Sequence, residues 1–330
     1  MAKTRIRKPF LRGEGDAVGH GLTTEVQRIE AQVLPGEDQK PAKEKRAAKP
    51  KPAKERKKPS NLTVRIMTGA VYIALTVVCI YASEPTTAIY LSVLSAICAG
   101  EFYYMLRSDA KLPNEFLGIC AAALFPLATW LFGLSGVIVV LALFVLSLLV
   151  WYVFWMPARI SDVAVSLFGA VYTGLVMSTA MVLRSSLPDQ WGALLVLGLF
   201  ASVWGNDAFA YLVGSAIGKH KLAPHISPKK SWEGFIAGLA FAMAFWCLLT
   251  MIPGVTMSIP QALAFGFLNG LAGVLGDLVE SRIKRNSGFK DSGTIMPGHG
   301  GLLDRCDSQF LVTLTGAIML ILGGCIPYVL

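Results

Sequence analysis

From Val64 onward the chain repeats one pattern, apolar runs of about twenty residues divided by short polar breaks. A helix of that length crosses a bilayer core of about 30 Å, and in hydrocarbon a helix satisfies its own backbone polar groups. The pattern therefore predicts an all-α, polytopic integral membrane helix bundle. Nine spans are read, at 64–82, 86–106, 116–134, 136–156, 161–183, 191–217, 234–252, 260–281 and 309–328. The tightest division is the turn within Gly133–Gly136. Composition agrees, since 15% of residues are charged, against about 25% in an ordinary soluble domain.

Loop charge sets the orientation. If residues 1–60 are cytoplasmic, the connections 107–115, 157–160, 218–233 and 282–308 share that side and hold twelve Lys and Arg. The opposite connections hold Arg184 alone. This bias predicts a cytoplasmic N-terminus and an external C-terminus. The formal net charge of +9 is unevenly spread, because residues 1–60 hold 16 Lys and Arg against 8 Asp and Glu. The remainder is nearly neutral, which excludes a basic nucleic-acid-binding globule and any nucleic-acid partner. Residues 41–59 are built from Lys, Ala, Pro, Glu and Arg, so 1–60 reads as a disordered basic tail lying against anionic lipid. The chain thus divides into this tail, spans one to five at 61–190, and spans six to nine with their two long loops at 191–330. The six cysteines show neither CxxC nor Cys/His ligand spacing, and no zinc or redox site is expected.

Charged residues inside a membrane are costly and mark functional sites by default. Asp207 follows Asn206 within the sixth run. Asp277, Glu280, Ser281 and Lys284 recur at i, i+3, i+4 and i+7, one face of the eighth helix. A Glu280–Lys284 ion pair would be the plain structural use of that face. Both long loops on the predicted cytoplasmic side, 218–233 and 282–308, combine Lys and Arg with Gly, Ser and His, groups that hold polyphosphate. Gly298-His299-Gly300-Gly301 precedes the ninth helix, where a phosphate would meet a helix N-terminus. Asp304 and Asp307 share the first turn and suit one hard divalent cation. Together these elements describe metal-assisted phosphoryl or nucleotidyl transfer to a membrane substrate.

The run Ser281-x-Ile283-Lys284-Arg285-x4-Lys290-Asp291-x-Gly293-x3-Pro297-x-His299-Gly300-Gly301-x2-Asp304-Arg305-x-Asp307 resembles the signature of phosphatidate cytidylyltransferases, the CDP-diacylglycerol synthases. Gly205-Asn206-Asp207-x-Phe209-Ala210-Tyr211 and Ser227-Pro228-Lys229-Lys230-Ser231-Trp232-Glu233-Gly234 are similar to that family too. Met296 and Cys306 depart conservatively from its usual aliphatic positions. The resemblance covers 205–308 and implies conversion of CTP and phosphatidate to CDP-diacylglycerol and pyrophosphate. It also implies a magnesium requirement, potassium as a second ion, and a homodimer in a bacterial inner membrane with its active site facing the cytoplasm.

On this reading Asp277, Asp291, Asp304 and Asp307 are the candidate metal ligands, with Asp277 and Asp304 favoured by position. Lys290, Arg305, Lys284 and Arg285 contact triphosphate or lipid phosphate, and Ser227, Lys229 and Lys230 line the same mouth. His299 donates to a phosphate beside Gly300 and Gly301. Ser281, Asn206 and Asp207 complete the substrate site, while Glu101, at the inner end of span two, is a structural partner and not a catalyst. The alternatives are a CTP-dependent transferase for an isoprenoid phospholipid or polyprenol, and a transporter. The latter is disfavoured because the ionisable residues gather at one face without internal repeats.

Overall fold

The computed structural model describes residues 61–107, 112–224, 226–298 and 300–327, so the expected disordered tail at 1–60 lies outside the described residues. The helices are α1 (Asn61–Ala82), α2 (Glu84–Arg107), α3 (Glu115–Phe154), α4 (Ile160–Ala170), α5 (Val176–Ser185), α6 (Trp191–Ile217), α7 (Trp232–Leu249), α8 (Ile259–Asn286) and α9 (Leu303–Leu322). A π-helical turn, Val171–Leu175, joins α4 and α5 into one continuous segment. Among the described residues eight segments are long and apolar enough to cross a membrane.

One of those eight is a hairpin. The α3 segment has 40 residues, about 60 Å of helix and twice the bilayer core. Gly133 breaks it with φ 59° and ψ −143°, a conformation that a Cβ would strain. The chain doubles back there, because a Cβ on Gly136 would lie 2.4 Å from the carbonyl oxygen of Ala128. Residues eight apart in a straight helix are separated by about 12 Å. The chain just before the segment also meets α4, which follows it. Leu112 N–H donates to Asp162 Oδ1 at 3.2 Å, and Asn114 N–H donates to Ser166 Oγ at 2.8 Å. With α3 divided at Gly133, the described residues hold nine helical segments long enough to cross a bilayer, with the third turn where the sequence placed it.

The ninth helix and the first long loop depart from the expectation. The ninth helix runs 303–322 and not 309–328, because Asp304, Arg305, Asp307 and Ser308 depress local hydropathy while their neighbours hold them in a helix. The loop 218–233 contains an antiparallel hairpin, β1 (Lys221–Ala223) and β2 (Ser227–Ser231), pairing Lys221 with Ser231 and Ala223 with Ser227. Ser231 then caps α7, its hydroxyl accepting from Gly234 N–H at 3.3 Å.

Long-range contacts sort the connections to two ends. At one end Arg184, buried, donates to the carbonyls of Ile80 at 3.2 Å and Asp189 at 3.1 Å, and Thr256 N–H donates to the Cys325 carbonyl at 2.8 Å. At the other end Tyr104 meets Phe289 with ring centroids 5.9 Å apart, and Glu101 meets Leu302 and Leu303. One buried core, with Tyr72, Phe102, Met177, Phe200 and Phe310, runs through helices on both sides of residue 190. The two regions read from sequence thus share their interior. The hairpin assignment predicts that single cysteines at Leu112 and Ala158, with native thiols replaced, react with an impermeant maleimide from the same membrane face. Thr256→Cys should react from the other face; labelling of 112 and 158 from opposite faces would make α3 a single pass.

Candidate active site

A glycine-mediated approach between two helices builds the site. A Cβ on Gly276 would lie 2.5 Å from the Asp307 carbonyl oxygen, so α8 and α9 touch backbone to backbone there. This brings the Asp277–Lys284 face against the first turns of α9. Lys284 Nζ sits 2.6 Å from Glu280 Oε2 and 2.5 Å from Asp304 Oδ1. Glu280 is 0% exposed, so its charge depends on that ammonium. The expected Glu280–Lys284 pair is therefore present, and it has a third member from α9.

The loop between α8 and α9 hangs on two carboxylates. Asp304 Oδ2 accepts from Ser292 N–H at 3.0 Å and from Gly301 N–H at 2.9 Å. Glu101 accepts from the N–H groups of Leu302 at 3.0 Å and Leu303 at 2.8 Å, and from the Ser292 hydroxyl at 3.1 Å. Gly300 adopts φ 90°, and a Cβ on it would lie 2.6 Å from Asp304 Oδ2. At the helix start, where a phosphate was expected beside Gly298-His299-Gly300-Gly301, the N–H groups of Gly301, Leu302 and Leu303 bond to protein carboxylates, as does that of Ser292. Glu101 is the structural partner that its position suggested.

Beside this anchored loop lies a cavity of about 630 Å³ between α6, the β-hairpin, α7 and α8, lined among others by Asp207, Tyr211, Lys221, Lys229, Lys230 and Asp277. Lys230 Nζ is 2.6 Å from Asp277 Oδ2, and the Ser281 hydroxyl donates to Asp277 Oδ1 at 3.0 Å. Asp207, Asp277 and Asp307, from three different helices, lie within electrostatic reach of one another, and Lys230 and Arg305 act on Asp207 as well. Asn206 is 1% exposed, and its amide oxygen and nitrogen have no hydrogen-bond partner among the described residues. The base of the hairpin is pinned by His220, whose Nδ1 lies 2.7 Å from Glu233 Oε1.

The structure thus gathers Asn206, Asp207, Lys229, Lys230, Asp277, Ser281, Arg305 and Asp307 around one end of the bundle, with Lys284, Asp304, Gly300 and Gly301 in the adjoining loop anchor. Other predicted residues stand apart. Ser227 lies in β2 but not among the cavity walls. Arg285 is exposed and donates to the Phe289 carbonyl at 3.2 Å. Lys290 and Asp291 are exposed on the loop, Asp291 backing onto Gly300. His299 lies outside the described residues. No three His, Cys, Asp or Glu among the described residues converge as a ready-made metal site; the ammonium groups of Lys230 and Lys284 lie against Asp277 and Asp304. Sequence reasoning gave no site role to Tyr211, though it stands in the Gly205–Tyr211 motif, nor to Lys221 and Ser292 in the two loops. Their signal was position, because Tyr211 falls four residues after Asp207 on the same helical face and Ser292 adjoins Asp291.

Comparison with known proteins follows this geometry. The model of the cytidylyltransferase family matches residues 63–322. Phosphatidate cytidylyltransferase 4, chloroplastic, of Arabidopsis thaliana is 34% identical over 296 residues, covering 80% of this chain and 74% of that protein. Phosphatidate cytidylyltransferase of Bacillus subtilis strain 168 is 31% identical over 252 residues, covering 67% of this chain and 93% of its own. The protein of that name from Staphylococcus aureus strain COL is 42% identical over 151 residues, 46% of this chain and 56% of its own.

The three-membered pair at Lys284 generates a stability prediction. Lys284→Met leaves Glu280 buried without a counter-charge and should cost about 3–5 kcal/mol, seen as a lower melting midpoint in detergent. Glu280→Gln in the same chain should restore most of that loss, and an additive further loss would remove the pair from the account.

Proposed function

Because the chain belongs to the cytidylyltransferase family, we propose that it is a nucleotidyltransferase that converts CTP and phosphatidate to CDP-diacylglycerol and pyrophosphate. The observation that carries this reading is the cavity walled by Lys229, Lys230, Asp207 and Asp277 at one end of a multi-pass bundle. A lipid phosphate carried in the membrane and a soluble nucleotide can meet there. The loop-charge bias supports a cytoplasmic orientation for that end, in a bacterial plasma membrane and as a homodimer, as the resemblance implies.

The chemistry needs no covalent nucleophile. A phosphatidate phosphate oxygen attacks the α-phosphorus of CTP in line, forming the new phosphoanhydride bond. The bond from that phosphorus to the β-phosphate bridging oxygen breaks, and pyrophosphate leaves with the electron pair. Both reactants are polyanions, so the barrier is largely repulsion between them. Lys229 and Lys230 offset the charge of the phosphates entering the cavity, and Arg305 acts from the α9 side. Lys284 fixes Asp304, and Asp304 fixes the loop that carries Lys290 and Asp291.

Asp207, Asp277 and Asp307 are hard oxygen donors of the type magnesium takes beside substrate phosphates. They do not converge as a ready-made site among the described residues, and Asp277 lies against Lys230, so an ion would enter together with the substrate phosphates. Asp277 and Asp307 would hold the ion, Asp304 lying one turn before Asp307 and Asp291 at the rim. Bound there, magnesium would offset charge on the triphosphate and on the departing pyrophosphate. A potassium ion belongs to the same reading, since the unpartnered amide oxygen of buried Asn206 is the neutral donor that a monovalent ion accepts.

Purified protein in mixed micelles should release pyrophosphate from CTP only with phosphatidate and magnesium present. Turnover of a polyprenyl phosphate with equal efficiency would move the lipid assignment to the isoprenoid class. Asp277→Asn and Arg305→Ala should each lower kcat about 100-fold or more while the folded protein is retained. Asp277→Asn should also raise the magnesium concentration for half-maximal rate; an unchanged magnesium dependence would remove Asp277 from the ion.

A further inference from the structure

We propose that Glu101 is a positioning residue for the transfer reaction, fixing from α2 the loop and helix start that carry Asp291, Asp304 and Arg305. The inference rests on the reading of the site as a cytidylyltransferase centre and adds to it a residue outside the 205–308 motifs. A carboxylate near the end of an otherwise apolar helix is costly to bury, yet Glu101 is 6% exposed. The bonds that hold it come from dipoles, the N–H groups of Leu302 and Leu303 and the hydroxyl of Ser292. Two of those donors belong to the start of α9, whose partial positive charge favours an anion.

The loop is shaped to this carboxylate. A Cβ on Gly293 would lie 2.5 Å from Glu101 Oε1, and one on Gly301 would lie 2.5 Å from Glu101 Oε2. Ser292 is shared, its hydroxyl bonding to Glu101 and its N–H to Asp304. Glu101 and Asp304 therefore grip the same few residues. Any drift of that grip displaces Asp304 and the adjoining Arg305 together, with Asp307 one turn further on. Misplacement of about 1 Å in such a constellation costs about 100-fold in rate. An apolar residue here would leave the Leu302 and Leu303 N–H groups unsatisfied, so the carboxylate fixes the helix start as well as the loop.

Glu101→Gln keeps the volume but turns an amide N–H₂ toward donors, so part of the grip is lost. With CTP, phosphatidate and magnesium, kcat should fall about 100-fold, with the KM for phosphatidate within about twofold, the yield of folded protein unchanged and the melting midpoint lowered but still well above the assay temperature. A double-variant cycle gives the second readout. Gly293→Ala should lower kcat about tenfold or more in the wild-type background, and by less than about twofold in Glu101→Ala, where the clash is gone. Normal kcat for Glu101→Gln overturns the inference, as does a loss that tracks lost folded protein with additive costs in the cycle. Inert wild-type protein would overturn the functional reading and this inference with it. Active wild-type protein with an unimpaired Glu101→Gln overturns this inference alone.

Discussion

One ammonium group, Lys284 Nζ, is held between Glu280 and Asp304 at the junction of α8 and α9. Each of these charges would be costly alone in the interior of a membrane bundle, and as a set each supplies what the others need. The arrangement joins α8 to the first turn of α9 and orients Asp304 so that its second oxygen collects Ser292 and Gly301 N–H groups. Glu101 completes the anchor from α2. The Gly-rich loop that the sequence offers for phosphate is tied down by carboxylates at Ser292, Gly301, Leu302 and Leu303.

That arrangement separates two tasks. The anchored loop and α9 start are held by internal anions, so their geometry does not wait on substrate. The neighbouring cavity keeps its lysines and carboxylates facing an open volume, with Lys229 and Lys230 on a short hairpin and Asp207 and Asp277 on the helices. Preorganised charge of this kind lowers the barrier between two anionic reactants, because little reorganisation remains at the moment of reaction. It also explains why so few chemical groups are needed. Phosphoryl chemistry asks mainly for position and charge.

Much of the fold was legible because hydropathy over about twenty residues reports bilayer crossing directly. The sixth span coincides with α6 at 191–217, and even the tight turn at Gly133 was visible as a glycine-bounded break. The ninth helix was misplaced by six residues for a physical reason. A charged first turn reads as loop when hydropathy is averaged, although paired charges leave it helical. The motif residues were found, yet their partners were not assigned. Nothing in local spacing says that Leu302 and Leu303 donate to Glu101, about two hundred residues earlier. Such contacts depend on tertiary packing. The one local hint was a carboxylate stranded near the end of an apolar run.

The central claim is that the cytidylyl group itself moves to the lipid at this cavity. CTP carrying one isotope at the α-phosphorus and another at the γ-phosphorus tests it directly with purified protein and phosphatidate. The account predicts that the α label partitions into the organic phase with the lipid while the γ label is released as pyrophosphate. Transfer of the γ label to lipid, with CDP released, would contradict it.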